Sequence, residues 1–220
     1  MKAMILAAGR GERMRPLTDK TPKPLLKIKG KPLIVWHIEK LASLGFSEIV
    51  INIAHLGNQI TEALGDGSKW GVSLIYSDEQ ECGALESAGG IIKALPLLED
   101  ETFLVVNSDI WCDYEFESSF DLNGDLAHLI LVPNPEHNHE GDFALHKNRV
   151  ASDAKKKFTF SGIGYYSAEF FRGLECKKTP LAPLLREAIE NNRISGTLHE
   201  GKWRDIGTPQ RLKEINTTSE

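Results

Sequence analysis

Glycines and cations crowd the segment behind the first apolar run, Leu6-Ala7-Ala8-Gly9-Arg10-Gly11-Glu12-Arg13-Met14-Arg15-Pro16-Leu17. Glycine accepts positive φ and lets the backbone come close to a ligand, so successive N–H groups can face phosphate oxygens. Arg13, Arg15 and Lys23 stand in the same stretch and can neutralise a triphosphate. A Gly-x-Gly alone is equally a turn with solvated basic residues. Two commoner phosphate loops fail on spacing. A dinucleotide fingerprint needs a third glycine where Met14 stands. A Walker A loop needs Gly-Lys followed by Ser or Thr, whereas Gly30-Lys31 precedes Pro32 and Gly201-Lys202 precedes Trp203.

Two carboxylates offer the complementary charge. Asn107-Ser108-Asp109 follows the apolar run Phe103–Val106, and the carboxyl end of a central strand is where open α/β sheets bind ligands. Trp203-Arg204-Asp205-Ile206-Gly207-Thr208 sets a second aspartate at another strand end. Magnesium takes one or two carboxylates plus substrate phosphates, so Asp109 and Asp205 can converge on one ion. Each aspartate taken singly is more readily a cap or turn residue. No His or Cys arrangement suggests a protein nucleophile; the seven histidines are scattered, and His137 and His139 read as part of a surface loop.

The elements that must hold these groups alternate. Met4–Ala7, Ile49–Ile53, Val72–Tyr76 and Phe103–Val106 read as buried strands. Helical spacing follows Pro32 up to Gly45, spans 57–64 up to Gly65, and covers Ser87–Leu95. Such alternation implies a mostly parallel sheet with right-handed crossovers. After residue 125 the pattern becomes α+β: Leu126–Val132, a hairpin turning at Lys147-Asn148, a strand at Phe158–Tyr166, a helix at Leu181–Ile189, a strand at Trp203–Ile206, then Thr208 and Pro209 opening a last helix. The stretch Gly9–Lys31 is long for a loop in a compact domain, and such loops are usually functional.

The totals limit the partners. The 220 residues carry 26 basic against 31 acidic side chains, net -5. Proteins that grip nucleic acid by its backbone show a basic surplus, so nucleic acid is a poor partner. No run reaches the apolar length of a membrane span. Cys82, Cys112 and Cys176 form no CxxC pair, which favours reduced thiols and a cytoplasmic protein.

The segments Leu6–Thr18, Thr21-Pro22-Lys23-Pro24-Leu25, Asn107-Ser108-Asp109 and Trp203–Thr208, taken in this order, resemble the sugar-1-phosphate nucleotidyltransferase family. The match runs from residue 2 to about residue 212. Leu85–Ile91, Lys93–Leu98, Gly141-Asp142-Phe143 and Thr159–Ile163 resemble one subgroup, the N-acetylmuramate α-1-phosphate uridylyltransferases. The resemblance implies an α/β fold, a Rossmann-like three-layer sandwich of the GT-A-like nucleotidyltransferase kind with a mixed, mostly parallel central sheet. It implies a single domain over 1–220, with a nucleotide-binding half (1–125) and a sugar-phosphate-binding half (126–220).

It also implies roles. Ala7, Ala8 and Gly9 lie under the nucleoside, and Gly11 and Arg13 hold the β- and γ-phosphates. Lys23 sits at the α-phosphate, so Arg13, Lys23 and Asp109 are the expected catalytic residues. Asp109 and Asp205 hold Mg2+. Asn107 lies near ribose or sugar, Gly83 with the 78–82 loop meets the base edge, and Glu86, Gly141, Asp142 and Ser161 are candidates for the sugar hydroxyls. Glu86 is as readily a helix N-terminal acid.

The implied reaction is in-line transfer from a nucleoside triphosphate, UTP favoured, to a sugar 1-phosphate by a monomer or small homo-oligomer. The alternatives are dTTP with glucose 1-phosphate, GTP with mannose 1-phosphate, CTP with phosphocholine, or a non-catalytic nucleotide-binding module. The family's Glu-Lys-Pro motif is missing, leaving Lys157 and Arg204 as substitutes for its lysine, and Ser87-Ala88 stands where the subgroup has Thr-Gly.

Overall fold

The alternating runs become one nine-stranded sheet covered on both faces. The computed structural model describes residues 1–81, 83–99, 101–153 and 155–217; Cys82, and with it one end of the 78–82 loop, lies outside them. In chain order the elements are β1 (Ala3–Leu6), β2 (Lys27–Ile28), β3 (Lys31–Pro32), α1 (Leu33–Ser43), β4 (Glu48–Ile53), α2 (Gly57–Leu64), β5 (Ser73–Asp78), α3 (Glu86–Leu98), β6 (Thr102–Asn107) and β7 (Ile110–Cys112). There follow β8 (Ala127–Val132), β9 (Ala144–His146), β10 (Arg149–Ala151), β11 (Thr159–Ser167), α4 (Leu181–Glu190), β12 (Ile194–Leu198), β13 (Trp203–Asp205) and α5 (Pro209–Thr217).

The sheet order is β5-β4-β1-β6-β11-β8-β12-β10-β9. Neighbours β5, β4, β1 and β6 are parallel, β11 is antiparallel to β6 and β8, β12 is parallel to β8, and β10 is antiparallel to β12 and β9. Seven of the nine strands therefore point one way and only β11 and β10 the other, which is the mixed, mostly parallel sheet expected. The sheet is continuous across residue 125.

The central strands are apolar throughout because helices take both faces. Ile5, Ile49, Ile51, Leu104 and Val106 join α1 and α2 through Ile34, Ile38, Leu41, Ile60 and Leu64. Their neighbours in sequence, Met4, Val50, Phe103 and Val105, join α3 through Ala88, Ile91, Ala94 and Leu98, and the same core continues under α4 through Leu185 and Ile189. The period-two alternation of a strand thus feeds two cores at once. Burying each such side chain contributes roughly 1.5–3 kcal/mol.

Three elements differ from what the residues suggest. The Gly9–Lys31 stretch is not a loop throughout: it holds 3-10 turns at Glu12–Met14, Leu17–Asp19 and Lys23–Leu25 and the hairpin β2–β3. Ile110–Cys112 and Ile194–Leu198 are strands that local pattern does not mark, β7 pairing with β13 and β12 with β8. A third small core, Met14, Leu26, Ile28, Leu33, Ile206 and Ile215, fastens the long segment to the C-terminal elements.

Candidate functional site

Parallel pairing brings three strand ends to one edge. Leu6 is in register with Asn52 on one side and with Asn107 on the other. The chain leaves β1 there as Ala7–Gly11, and Ser108 continues along the edge by donating its N–H to the Leu6 carbonyl at 3.1 Å. A cleft of about 530 Å3 opens over this edge.

Its floor is set by a buried relay. The Ala7 N–H donates to Asn52 Oδ1 at 2.8 Å, the Asn52 amide donates to Glu79 Oε1 at 2.7 Å, and Glu79 Oε2 accepts the Leu85 N–H at 2.8 Å. Glu79 is fully buried. The relay ties the loop after β1 to the start of α3. It also explains Gly90, where a Cβ would stand 2.7 Å from Asn52 Nδ2 and 2.8 Å from Glu79 Oε1.

The cationic wall is equally local in origin. Gly11 has φ +63, and a Cβ there would meet Thr18 Cγ2 at 2.9 Å; Thr18 Oγ1 donates to the Gly11 carbonyl at 2.8 Å. That tight turn exposes Arg10 and Arg13 on the cleft, where neither forms an ion pair among the described residues. Lys23 begins a 3-10 turn whose Pro24 fixes the local backbone. Its side chain is 11% exposed, and Nζ lies 2.5 Å from Asp109 Oδ2. Lys178 reaches the opposite rim, 3.5 Å from Glu86.

The two aspartates meet through a small ladder. Asp205 pairs with Ile110 in the β7–β13 register, and the Ile206 N–H donates to the Asp109 carbonyl at 2.8 Å. Asp205 Oδ2 is 2.9 Å from Arg211 and 3.2 Å from His137 Nε2, whereas its Oδ1 is buried with no hydrogen-bond partner. A buried acceptor with nothing to accept from fits a cation ligand. No group of three or more His, Cys, Asp and Glu suited to a metal is found among the described residues. A magnesium ion that draws its remaining ligands from phosphate and water does not require one. The ladder is braced from behind by His37 on α1, whose Nε2–H donates to the Ile110 carbonyl at 2.8 Å. Burial pushes the His37 pKa down to about 4, against the smaller upward pull of that carbonyl, so the ring is neutral.

Ala7, Ala8, Gly9, Gly11, Arg13, Lys23, Glu86, Asn107 and Asp109 all line the cleft. Asp205 stands one ladder rung behind it. Gly83, with φ +69, lines a small adjoining pocket of about 100 Å3 with Arg10 and His55. Asp142 lines a second pocket of about 420 Å3 that shares Glu86, Ser87 and Asn107 with the main cleft. Gly141 lines neither of these two; it is a turn residue at φ +66 packed on Lys157 and Phe158. The Ser161 hydroxyl also lines neither. It donates to the Ile130 carbonyl at 2.6 Å and accepts the Ile163 N–H at 3.1 Å, inside the bulge between Phe160 and Ile163. That bulge presses Gly162 against Asn107, whose Nδ2 would lie 2.5 Å from any Cβ there. Lys157 and Arg204 line neither cleft. His137 is on the surface loop expected but is 3.2 Å from Asp205 rather than free in solvent.

Sequence reasoning misses Asn52, Glu79, Lys178 and Arg186. Asn52 carries a usable signal, a polar residue inside the apolar run Ile49–Ile53. The other three reach the site only through the fold.

A sheet edge carrying an open cationic loop, with Asp109 and Asp205 brought near it by a short ladder, defines an α/β protein built to handle phosphates. The chain belongs to the nucleotidyl transferase family, whose profile matches residues 2–220. It is 54% identical to the N-acetylmuramate α-1-phosphate uridylyltransferase of Neisseria meningitidis serogroup B, over 97% of this chain and 96% of that protein. It is 36% identical to a UTP–glucose-1-phosphate uridylyltransferase of Synechocystis over 62% of this chain, but spans only 38% of that longer protein. Among solved structures, a Bacillus anthracis protein assigned as a glucose-1-phosphate thymidylyltransferase superposes with a TM-score of 0.86 at 21% identity, covering 98% of this chain and 94% of the other. That likeness bears out the fold class.

Proposed function

We propose that this chain transfers uridine monophosphate from UTP to N-acetylmuramic acid 1-phosphate, giving the UDP-sugar and pyrophosphate. The 54% identity to the Neisseria uridylyltransferase, end to end, carries this reading. The cleft supports it, because its open cations and Asp109, with Asp205 one rung behind, are what a triphosphate with a divalent ion needs.

In the reaction one oxygen of the sugar 1-phosphate forms a bond to the α-phosphorus of UTP. The bond from that phosphorus to the bridging oxygen breaks in line, and its electron pair leaves with pyrophosphate. The attacking oxygen is already ionised at neutral pH, so no general base is required. Positioning and charge supply the catalysis. Gly11 and Arg13 hold the β- and γ-phosphates. Lys23, kept at 2.5 Å from Asp109, offers its ammonium to the α-phosphate as charge gathers there. Ala7, Ala8 and Gly9 carry the nucleoside, with Gly83 at the base edge.

Asn107 lies between the two substrates, Glu86 and Asp142 meet sugar hydroxyls, Gly141 shapes the turn before Asp142, and Ser161 acts by fixing the bulge beneath Asn107. Asp109 and Asp205 are the residues that would hold Mg2+, which when bound neutralises phosphate charge and orients it. Residues 1–125 thus supply most of the nucleotide site and 126–220 much of the sugar-phosphate site, with Glu86 and Asn107 crossing to the sugar and Asp205 to the metal. A cytoplasmic setting agrees with the free thiols of Cys112 and Cys176.

Pyrophosphate release tests the reading, with UTP, dTTP, GTP and CTP each paired with N-acetylmuramic acid, N-acetylglucosamine, glucose and mannose 1-phosphates. UTP with N-acetylmuramic acid 1-phosphate should be the best pair. A higher kcat/KM for any other pair would overturn the assignment.

A further inference from the structure

The second pocket opens off the main cleft behind Glu86, Ser87 and Asn107. Phe143, Phe160, Leu181 and Leu185 give it an apolar lining. Arg186, exposed on α4, stands on the same wall. It has no ion pair or hydrogen bond among the described residues. The two acids nearby are engaged already. Asp142 Oδ2 accepts the Phe160 N–H at 2.8 Å and the Asn138 amide at 3.3 Å, and Glu86 lies 3.5 Å from Lys178. A guanidinium left unpaired beside an apolar surface is an anion site, and its planar fork matches a carboxylate. Arg10, Arg13, Lys23 and Lys178 line the main cleft and are available to the phosphates of both substrates, which leaves Arg186 for a different anion.

Resting on the function proposed above, we propose that Arg186 binds the lactyl carboxylate of N-acetylmuramic acid 1-phosphate, with the lactyl methyl against the apolar lining. The pocket then sets specificity for an acidic sugar over neutral sugar 1-phosphates.

The test compares kcat/KM for the free acid and for its lactyl methyl ester in wild type, Arg186→Gln and Arg186→Lys, with KM for UTP read in the same assays. Arg186→Gln should lower the preference for acid over ester by about 10- to 100-fold, the range for a hydrogen bond to a charged group. Arg186→Lys should keep part of that preference, and KM for UTP should move far less than KM for the acid. An acid-to-ester ratio equal to wild type in Arg186→Gln, or a parallel loss on both sugars, overturns the proposal while leaving the uridylyl-transfer reading intact. If wild type does not turn over the acid at all, that reading fails and this inference falls with it.

Discussion

In the proposed reaction, Lys23 and Asp109 are the pair on which transfer turns. Both were legible in the sequence because each sits in a short motif whose residue types already imply a phosphate and a cation. Lys23→Ala should lower kcat by about two to three orders of magnitude, the range seen when one preorganised donor to developing charge is removed. Circular dichroism and the melting temperature should stay close to wild type, since the 3-10 turn around Lys23 rests on backbone bonds and Pro24. A turnover near wild type in Lys23→Ala would remove its assigned role. Glu79 illustrates the opposite case. It lies outside every motif, and its partners are 27 and 6 residues away. Glu79→Gln keeps the shape but turns an amide N–H2 toward one of two donors. An unsatisfied buried group costs roughly 1–3 kcal/mol, so urea unfolding should show a loss of that size together with a raised KM for UTP. A neutral substitution would mean the relay does not set the loop after β1.

Helix α1 supports the site through His37. The ring is neutral in the folded chain, with a pKa near 4, and ordinary when unfolded. Between roughly pH 6.5 and 4 the unfolded chain therefore binds a proton that the folded chain does not. Stability from this group is complete above that window and is lost as the pH falls through it, by about 3 kcal/mol at the lower end. Urea midpoints measured from pH 7 to pH 4.5 should fall in wild type and fall less in His37→Phe; equal slopes would refute the assignment.

The strands that carry the site were readable where one face or both faces bury a run, as in β1, β4 and β6. They were not readable where pairing is non-local and the run is short or broken. β7 has three residues and finds its partner about ninety residues on. β12 reads Ile-Ser-Gly-Thr-Leu, whose polar middle is stabilised only by lying between β8 and β10. Ser161 bonds within the sheet for a related reason: whether a hydroxyl faces a pocket or the sheet depends on a bulge that no local pattern announces.

The two ends of the chain close on each other. Ile206 and Ile215 pack with Met14, Leu26, Ile28 and Leu33, and the Asn216 side chain accepts the Lys29 N–H at 2.7 Å while donating to the Lys27 carbonyl at 3.1 Å. The segment that borders the cleft is thus held by residues nearly two hundred positions away. Ile215→Ala should cost about 2–5 kcal/mol by the cavity it leaves. UTP with Mg2+ should raise the melting temperature of that variant less than that of wild type, because ligand stabilises the folded state in proportion to its affinity; an equal shift in both would show that the loop is not held from this end.

The proposed convergence of Asp109 and Asp205 on one ion binds these levels together, and Mn2+ offers a paramagnetic probe of it. Mn2+ affinity is best measured by electron paramagnetic resonance in the presence of a UTP analogue with a non-hydrolysable α,β-bridge, for wild type, Asp109→Asn, Asp205→Asn and the double variant. Each single variant should weaken Mn2+ binding by roughly tenfold or more, and the double variant should lose less than the product of the two. Wild-type affinity in either single variant would mean that the two carboxylates do not share a metal.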